Sequence, residues 1–271
     1  MPEPLPLEID EWLRATRARR GHFGEPAYFF PETGSTNDVA AGLAERGAPE
    51  GATVLALSQT AGRGRLGRVW FSPPGAGLYV SVVCRNTLAA PFLTLAGGVA
   101  VADGVRAITG LPCEIKWPND VVMTVSAGRV RRRKLAGVLA EASTGAQGLM
   151  YVVLGFGINM RHAAYPPEIA DRATSIEAEL GRAVEPGAVL AESLASLAGH
   201  MAQLSAGRTD DLLARWSELA PSARGCAVEW DSPSGQLTGT TAGIDATGAL
   251  MVRVGGRLDR IISGQLRWTD G

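Results

Sequence analysis

The chain has 271 residues, of which 46% are hydrophobic and 20% charged, so it can bury a packed core and is not expected to be disordered. Its length suits one large domain, or a medium domain joined to a small one. The formal net charge of −1 argues against a dedicated nucleic-acid binder, because such proteins carry a strong basic excess.

The cysteines and the N-terminus predict a cytoplasmic protein. Cys84, Cys113 and Cys226 are far apart and lack CxxC spacing, so we expect buried free thiols rather than disulfides or a zinc site. The first six residues do not have the basic-then-apolar pattern of a secretion signal. No apolar run reaches about 18 residues, so no membrane span is predicted.

Helices and short strands are predicted along most of the chain. Apolar periodicity predicts a helix over 7–20, and the capping residues Ser35 and Thr36 open a second helix that ends near Arg46. Further strands are predicted at 28–30, 53–58, 78–84, 114–117, 121–124, 134–142 and 151–158, and further helices at 93–109, 176–180 and 186–216. Residues 126–133, which include four arginines, are predicted to be a solvated hairpin tip.

The pattern of predicted elements changes after Pro221. Short β segments at 227–230, 236–244, 250–254 and 257–262 are separated by turns at 232–235, 245–248 and 255–256. We therefore predict a domain boundary near Pro221 and a small β-barrel after it.

A glycine-rich loop, residues 58–68, carries Arg63, Arg65 and Arg68. Glycines let the backbone bend closely, and arginines present forks of donors that match phosphate and carboxylate oxygens. No carboxylate occurs between Glu50 and Asp103, so the local charge is purely positive. The loop is predicted to order over a small anionic ligand.

Three other interpretations of this loop agree less well with the sequence. Gly62, Gly64 and Gly67 match G-x-G-x-x-G, but a dinucleotide fingerprint needs a helix to begin within the motif and an acid about 20 residues later. No helix is predicted to begin within this motif, and no acid follows at that distance. The G-K-[ST] ending of a phosphate-binding P-loop is missing as well. A solvated basic turn is the remaining alternative, although the adjacent Trp70 and Phe71 argue against it.

Three more segments carry polar or glycine residues at strand ends. Asn119 and Asp120 follow a short strand, where they either face a ligand or, for Asp120, only close a turn. Lys134 heads an apolar strand, which suggests either a structural salt bridge or an ammonium that stabilises a carboxylate or phosphoryl oxygen. Gly155 and Gly157 lie within a strand, which predicts close approach of a ligand or another backbone.

Together these segments resemble the biotin–protein ligases. The motifs that carry the resemblance are Ser35–Asn37, Gln59–Arg68, Trp70–Pro73, Lys116–Asp120, Arg133–Gly137, Gly155–Met160 and Gly243–Leu250. The resemblance implies an α+β fold, with a mixed β-sheet catalytic domain flanked by helices, as in class II synthetases, and a small C-terminal β-barrel. The implied parts are a helical extension at 1–27, a catalytic domain at 28–221 and the barrel at 222–271.

The resemblance also implies a reaction and its site. Biotin and ATP, with Mg²⁺, would give biotinyl-5′-adenylate, and the biotinyl group would pass to a lysine of a biotin carboxyl carrier protein. The implied biotin-binding residues are Ser35, Thr36, Asn37, Gln59, Arg63, Gly64, Arg65, Lys134, Gly137 and Gly155. The implied ATP or adenylate contacts are Arg65, Arg68, Trp70, Asn119, Asn159 and Lys134, and the implied catalytic residues are Lys134, Arg63 and Arg65.

Two rival functions remain at this point: a lipoate or octanoyl transferase, and a biotin sensor without turnover. The Arg-Gly-Arg loop and the Lys116–Asp120 motif favour biotin over lipoate, and Lys134 favours turnover. Ligases that double as repressors carry an N-terminal DNA-binding domain of several tens of residues, whereas about 27 residues precede the catalytic region here. We therefore expect no operator binding and no membrane partner, and a homodimer is left open.

Overall fold

A seven-stranded mixed sheet forms the centre of the molecule. The structure, a computed structural model, describes residues 1–127, 129–146, 148–232, 235–264 and 266–269. The sheet has the order β1-β2-β3-β7-β6-β5-β4, with β1 and β2 parallel and every other neighbouring pair antiparallel. Its strands are β1 (Ala27–Phe30), β2 (Thr53–Ala56), β3 (Gly77–Cys84), β4 (Glu114–Lys116), β5 (Asp120–Ala127), β6 (Arg129–Gly145) and β7 (Gly148–Asn159).

Helices cover the two faces of this sheet unequally. They are α1 (Leu7–Arg20), α2 (Thr36–Glu45), α3 (Leu93–Thr109), α4 (Pro167–Ala170), α5 (Ile176–Leu180), α6 (Pro186–Ser205) and α7 (Thr209–Leu219). The large core, with α3 and α6, lies on one face, where β3 and β7 point Val80, Val82, Leu154 and Phe156. The other face packs a smaller cluster under α2, which leaves part of that face uncovered.

Strand alternation sorts β3, β6 and β7 between these faces. On the α2 face, Ser81 of β3 pairs with Gly155 of β7, which in turn pairs with Leu139 of β6. The next row towards one end of the sheet consists of Tyr79, Gly157 and Gly137. The glycines at 137, 155 and 157 therefore lie together on the uncovered part of the sheet.

The C-terminal segment forms a five-stranded antiparallel sheet. It consists of β8 (Arg224–Ser232), β9 (Gly235–Ile244), β10 (Leu250–Val254), β11 (Arg257–Ile261) and β12 (Leu266–Trp268), in the order β11-β10-β9-β8-β12. Among the described residues no pairing joins the edge strands β11 and β12, so the barrel stays a prediction. Strand β12 was not foreseen, because three residues carry almost no periodic signal.

The hairpin between β5 and β6 differs from its prediction. Both strands continue well beyond their predicted ends, and they pair as far as Ala127 with Arg129, so the arginine-rich segment belongs to the sheet rather than to a solvated tip. Gly128 of the predicted tip lies outside the described residues. Arg133 forms an ion pair with Glu179 at 2.8 Å, which places its charge in a tertiary contact. Likewise, the helix predicted over 186–216 is interrupted after Ser205, where Gly207 has φ +72°.

Two expectations from composition can be compared with the fold. Cys84 and Cys113 are buried free thiols, as predicted, and burial raises the pKa of Cys113 to about 11. Cys226, by contrast, is only half-buried. One segment, Thr87–Thr109, has the length and composition of a membrane span although it contains no unbroken apolar run of that length; 67% of its most apolar 18-residue window is buried, as in a core helix.

Candidate active site

A cavity of about 830 Å³ lies on the uncovered part of the α2 face. All fourteen residues that the resemblance implicates line it. They come from the start of α2, the 58–68 loop and the segment that follows it, the turn before β5, and strands β6 and β7. The structure therefore brings together, in one place, residues that are up to 124 positions apart (159 − 35) in the chain.

The floor of the cavity consists of glycines, and neighbouring side chains lie so close to them that a Cβ atom would not fit. A Cβ on Gly157 would lie 2.5 Å from Nε1 of Trp70, and one on Gly137 would lie 2.9 Å from the same indole. A Cβ on Gly155 would lie 2.2 Å from Oδ1 of Asn37. Contacts this close exclude any larger residue without a shift of the neighbours. The close neighbours of Gly155 and Gly157 are the side chains of Asn37 and Trp70, whereas the sequence predicts a ligand or another backbone there.

One end of the cavity is a hydrogen-bonded polar network around the start of α2. Gln59 Oε1 accepts hydrogen bonds from the backbone N–H of Thr36 (2.9 Å) and from its hydroxyl (3.1 Å). Asn37 Nδ2 donates to Glu141 at 2.5 Å. Behind them, Ser81 Oγ lies 2.8 Å from the Thr36 hydroxyl and 2.5 Å from Asn37 Oδ1.

Sequence reasoning missed Ser81 and the role of Glu141 in this network. Ser81 is fully buried in an otherwise apolar strand, and its only signal is a polar residue at an alternating position in LYVSVVC. Its partners, Thr36 and Asn37, lie 45 and 44 positions earlier in the chain, and local alternation does not show that α2 packs over this part of β3.

The two arginines at the tip of the loop have different partners. Arg63 donates through both terminal nitrogens to Asp38, at 2.8 and 2.6 Å, and lies 3.3 Å from Glu141. The hydrogen bonds with Asp38 raise the pKa of Arg63 and lower that of the Asp38 carboxyl. Arg65 forms no ion pair with a described carboxylate; it donates to Asn119 Oδ1 at 3.4 Å, and burial lowers the pKa of its guanidinium. Arg65 is therefore the arginine with charge to offer a ligand.

The other end of the cavity is strongly cationic. Eight lysine and arginine side chains line the cavity, whereas Asp120 is the only carboxylate among the described lining residues. Lys134 Nζ lies 2.6 Å from Asp120 Oδ1 and 4.9 Å from the centre of the Trp70 ring. Asp120 thus pairs with a charge rather than only closing a turn, and Lys134 has both a salt bridge and access to the cavity.

The C-terminal sheet contributes to this cationic end. Lys116 Nζ lies 4.6 Å from the centre of the Trp268 ring of β12, and burial lowers the pKa of its ammonium group. Other cationic wall residues not foreseen as site residues are Arg132, Arg172 and Arg267. The sequence predicts Arg132 in a solvated hairpin tip, which is wrong because Arg132 lies within strand β6.

Both predicted asparagines use their amide donors within the protein. Asn119 Nδ2 donates to the Val138 carbonyl at 2.8 Å. Asn159 Nδ2 donates to the carbonyls of Thr174, at 2.9 Å, and Lys134, at 3.3 Å. These bonds hold the ends of β4, β6 and β7 together beside the cavity.

Comparison with known proteins identifies the family of this chain. Residues 29–159 match the model of the biotin/lipoate A/B protein ligase family. The chain is 34% identical over 245 residues to a biotin–[acetyl-CoA-carboxylase] ligase of Mycobacterium tuberculosis, covering 87% of this chain and 86% of that protein. It is 30% identical over 237 residues to the bifunctional ligase/repressor BirA of Bacillus spizizenii, covering 86% and 70%.

The fold agrees with this match. The biotin protein ligase from Aquifex aeolicus, solved in complex with biotin and ATP, superposes with a TM-score of 0.76 at 27% identity, covering 90% of this chain and 99% of that one. The mixed α+β architecture predicted from the sequence is thereby confirmed. On these relatives and this architecture, the chain belongs to the biotin/lipoate A/B protein ligase family.

Proposed function

We propose that this chain is an ATP-dependent biotin–protein ligase. The observation that carries the proposal is the division of one cavity into a hydrogen-bonded polar end, a glycine floor and a cationic end. These three parts suit, in that order, the cyclic urea of biotin, its acyl chain, and the phosphates of ATP. The names of the relatives and of the superposed ligase support the same substrates.

In the first half-reaction, a carboxylate oxygen of biotin attacks the α-phosphorus of ATP. An O–P bond forms, the bond from the α-phosphorus to the bridging oxygen breaks, and pyrophosphate leaves. The step brings several negative charges together, so catalysis consists mostly of positioning and electrostatic stabilisation. Lys134, Arg65 and Lys116 line the cavity. In this proposal Lys134 and Arg65 screen the carboxyl–phosphate junction, and Lys116 receives the outer phosphates.

Magnesium is part of the proposal through its phosphate ligands. No group of three or more His, Cys, Asp or Glu side chains capable of holding a metal occurs in the described residues. Mg²⁺ in nucleotide sites commonly binds one or two carboxylates together with substrate phosphates, and Asp120 supplies one such carboxylate on the cavity wall. The lining residues therefore fit an ion that arrives with ATP, and bound Mg²⁺ would neutralise phosphate charge.

In the second half-reaction, the amine of a carrier-protein lysine attacks the acyl carbon. An amide bond forms, the bond to AMP breaks, and the amine loses a proton. The mixed anhydride hydrolyses readily, so the 58–68 loop at the cavity would also exclude water. The proposal includes the catalytic domain at 28–221, a C-terminal barrel at 222–271 and a cytoplasmic location, where ATP is available and thiols stay reduced.

Exchange of labelled pyrophosphate into ATP tests the first half-reaction. We expect exchange that depends on biotin and is not supported by lipoate. Transfer is tested with a biotin carboxyl carrier domain and its Lys→Arg variant, of which only the first should become labelled. Exchange with lipoate in place of biotin would overturn the assignment, and biotin-dependent exchange without labelling of the carrier domain would limit it to adenylate synthesis.

A further inference from the structure

Ser81 is a buried serine beneath the polar end of the cavity. Its side chain is fully buried, and it lies behind Thr36 and Asn37, outside the lining residues. Its hydroxyl lies within hydrogen-bond distance of both side chains, at 2.8 and 2.5 Å. A serine hydroxyl has one proton and therefore donates to only one of them.

The direction of each hydrogen bond follows from the acceptor at the end of the network. Glu141 accepts from Asn37 Nδ2, so the amide of Asn37 is oriented with Oδ1 towards Ser81. An amide oxygen can only accept, which commits the Ser81 proton to Asn37. The remaining contact, between Ser81 Oγ and the Thr36 hydroxyl, therefore needs the proton of Thr36.

The positions of these protons determine whether Thr36 donates or accepts a hydrogen bond towards a ligand. Its proton goes either to Ser81, at 2.8 Å, or to Gln59 Oε1, at 3.1 Å, and both are protein acceptors. Thr36 lines the cavity, so it presents a lone pair there. A ligand with an N–H group satisfies that lone pair, whereas a dithiolane ring or an alkyl chain leaves a nearly buried acceptor unpaired.

We propose that Ser81 is a positioning residue that, through Asn37 and Glu141, fixes Thr36 as a hydrogen-bond acceptor and so selects a ligand that carries a ring N–H donor. The inference rests on the proposed function, since the cyclic urea of biotin is such a donor. It concerns the choice between urea-containing and urea-free acyl ligands.

The test is calorimetric titration of the full chain with biotin, dethiobiotin and ATP. Ser81→Ala leaves Gln59 Oε1, at 3.1 Å, as the single described protein acceptor for the Thr36 proton and removes the donor that holds the Asn37 amide, so both cavity-lining side chains can turn. We expect affinity for biotin and dethiobiotin, which share the cyclic urea, to fall by about tenfold, the scale of one hydrogen bond. Affinity for ATP should stay within about twofold of that of the unsubstituted chain.

Two further variants separate positioning from simple support of the fold. Thr36→Val removes the acceptor without touching the buried serine and should reduce biotin affinity by a similar factor. Adding Ser81→Ala to Thr36→Val should then cost little more, because Ser81 acts through Thr36. Ser193→Ala is the matched control, since it removes another buried serine hydroxyl, on α6, that has no hydrogen-bond partner among the described residues.

The outcomes test the proposed function and the role of Ser81 separately. An unsubstituted chain that does not bind biotin overturns the proposed function itself. A chain that binds biotin, with Ser81→Ala binding it equally well, overturns only the role of Ser81. Additive losses in the double variant, or equal losses of biotin and ATP affinity, would show Ser81 to be a structural residue and would also overturn the inference.

Discussion

At the scale of single residues, Arg63 and Arg65 differ although they are two positions apart. Arg63 is held by both oxygens of Asp38, so its charge is already compensated, and any contact with a ligand would have to compete with that pair. Arg65 is half-buried beside the cationic end and has no described carboxylate partner. We infer that Arg63 anchors the loop, whereas Arg65 contacts the phosphate of the adenylate.

Arg65→Ala should accordingly weaken retention of biotinyl-adenylate more than binding of free biotin. Loss of a charge-assisted hydrogen bond costs about 1.5–3 kcal/mol, so the adenylate should dissociate roughly 10- to 100-fold faster. Release of labelled adenylate and equilibrium binding of biotin measure the two effects. Arg182→Ala, which removes an exposed arginine that does not line the cavity, is the control; equal losses for adenylate and biotin would argue against this role of Arg65.

Lys134 is the residue whose loss should affect chemistry most. Its ammonium lies between Asp120 and the Trp70 ring at the cavity wall, and Lys134→Ala would remove the ion-pair partner of the Asp120 carboxylate there. We expect the rate of adenylate formation to fall by about 10²-fold or more, the effect of losing one preorganised charge-stabilising group. Single-turnover formation of adenylate measures it. A near-normal rate, together with a lower free energy of unfolding, would show that Lys134 only supports the fold.

At the scale of elements, strands and helices were foreseen from local signals, but the polar network was not. The period-2 alternation in LYVSVVC predicts β3 correctly, and the buried strand predicted over 151–158 corresponds to β7. Alternation does not say which strands are neighbours, and the pairing of β3 with β7 is what places Ser81 opposite Gly155. The arginines of β6 were misplaced for a related reason, since a charge run resembles a solvated turn until both strands of a hairpin are known.

Gly155→Ala tests whether the floor of the cavity must be made of glycine. The added Cβ would lie 2.2 Å from Asn37 Oδ1, so the Asn37 amide must move and its bonds to Ser81 and Glu141 must break. We expect biotin affinity to fall by about tenfold or more, since at least one hydrogen bond in the network is lost. Titration calorimetry measures the loss. Gly98→Ala on α3, where the nearest atom is 3.7 Å from the added Cβ, should bind biotin normally; unchanged affinity in Gly155→Ala would mean that the network adapts.

At the scale of the whole molecule, the two sheets share one hydrophobic core and one cavity. Val228, Leu250 and Val252 of the C-terminal sheet belong to the same cluster as the central strands and α3. Trp117 Nε1 donates to the carbonyl of Gly248, at 3.1 Å, which fixes the turn before β5 against the turn before β10. The C-terminal sheet therefore completes the cationic end of the site rather than only capping the domain.

Trp268→Ala tests this contribution of the C-terminal sheet. Its ring covers the ammonium of Lys116, and a cation–π contact contributes about 0.5–2 kcal/mol. Without the ring, Lys116 loses its fixed position, so the KM for ATP should rise by roughly 2- to 30-fold while biotin affinity stays unchanged, because the polar end is built from other elements. Trp268→Phe keeps an aromatic face over Lys116 and should behave almost as the unsubstituted chain does. A loss of biotin affinity equal to that for ATP would instead show that β12 supports the whole cavity, and an unchanged KM would show that the phosphates do not reach Lys116.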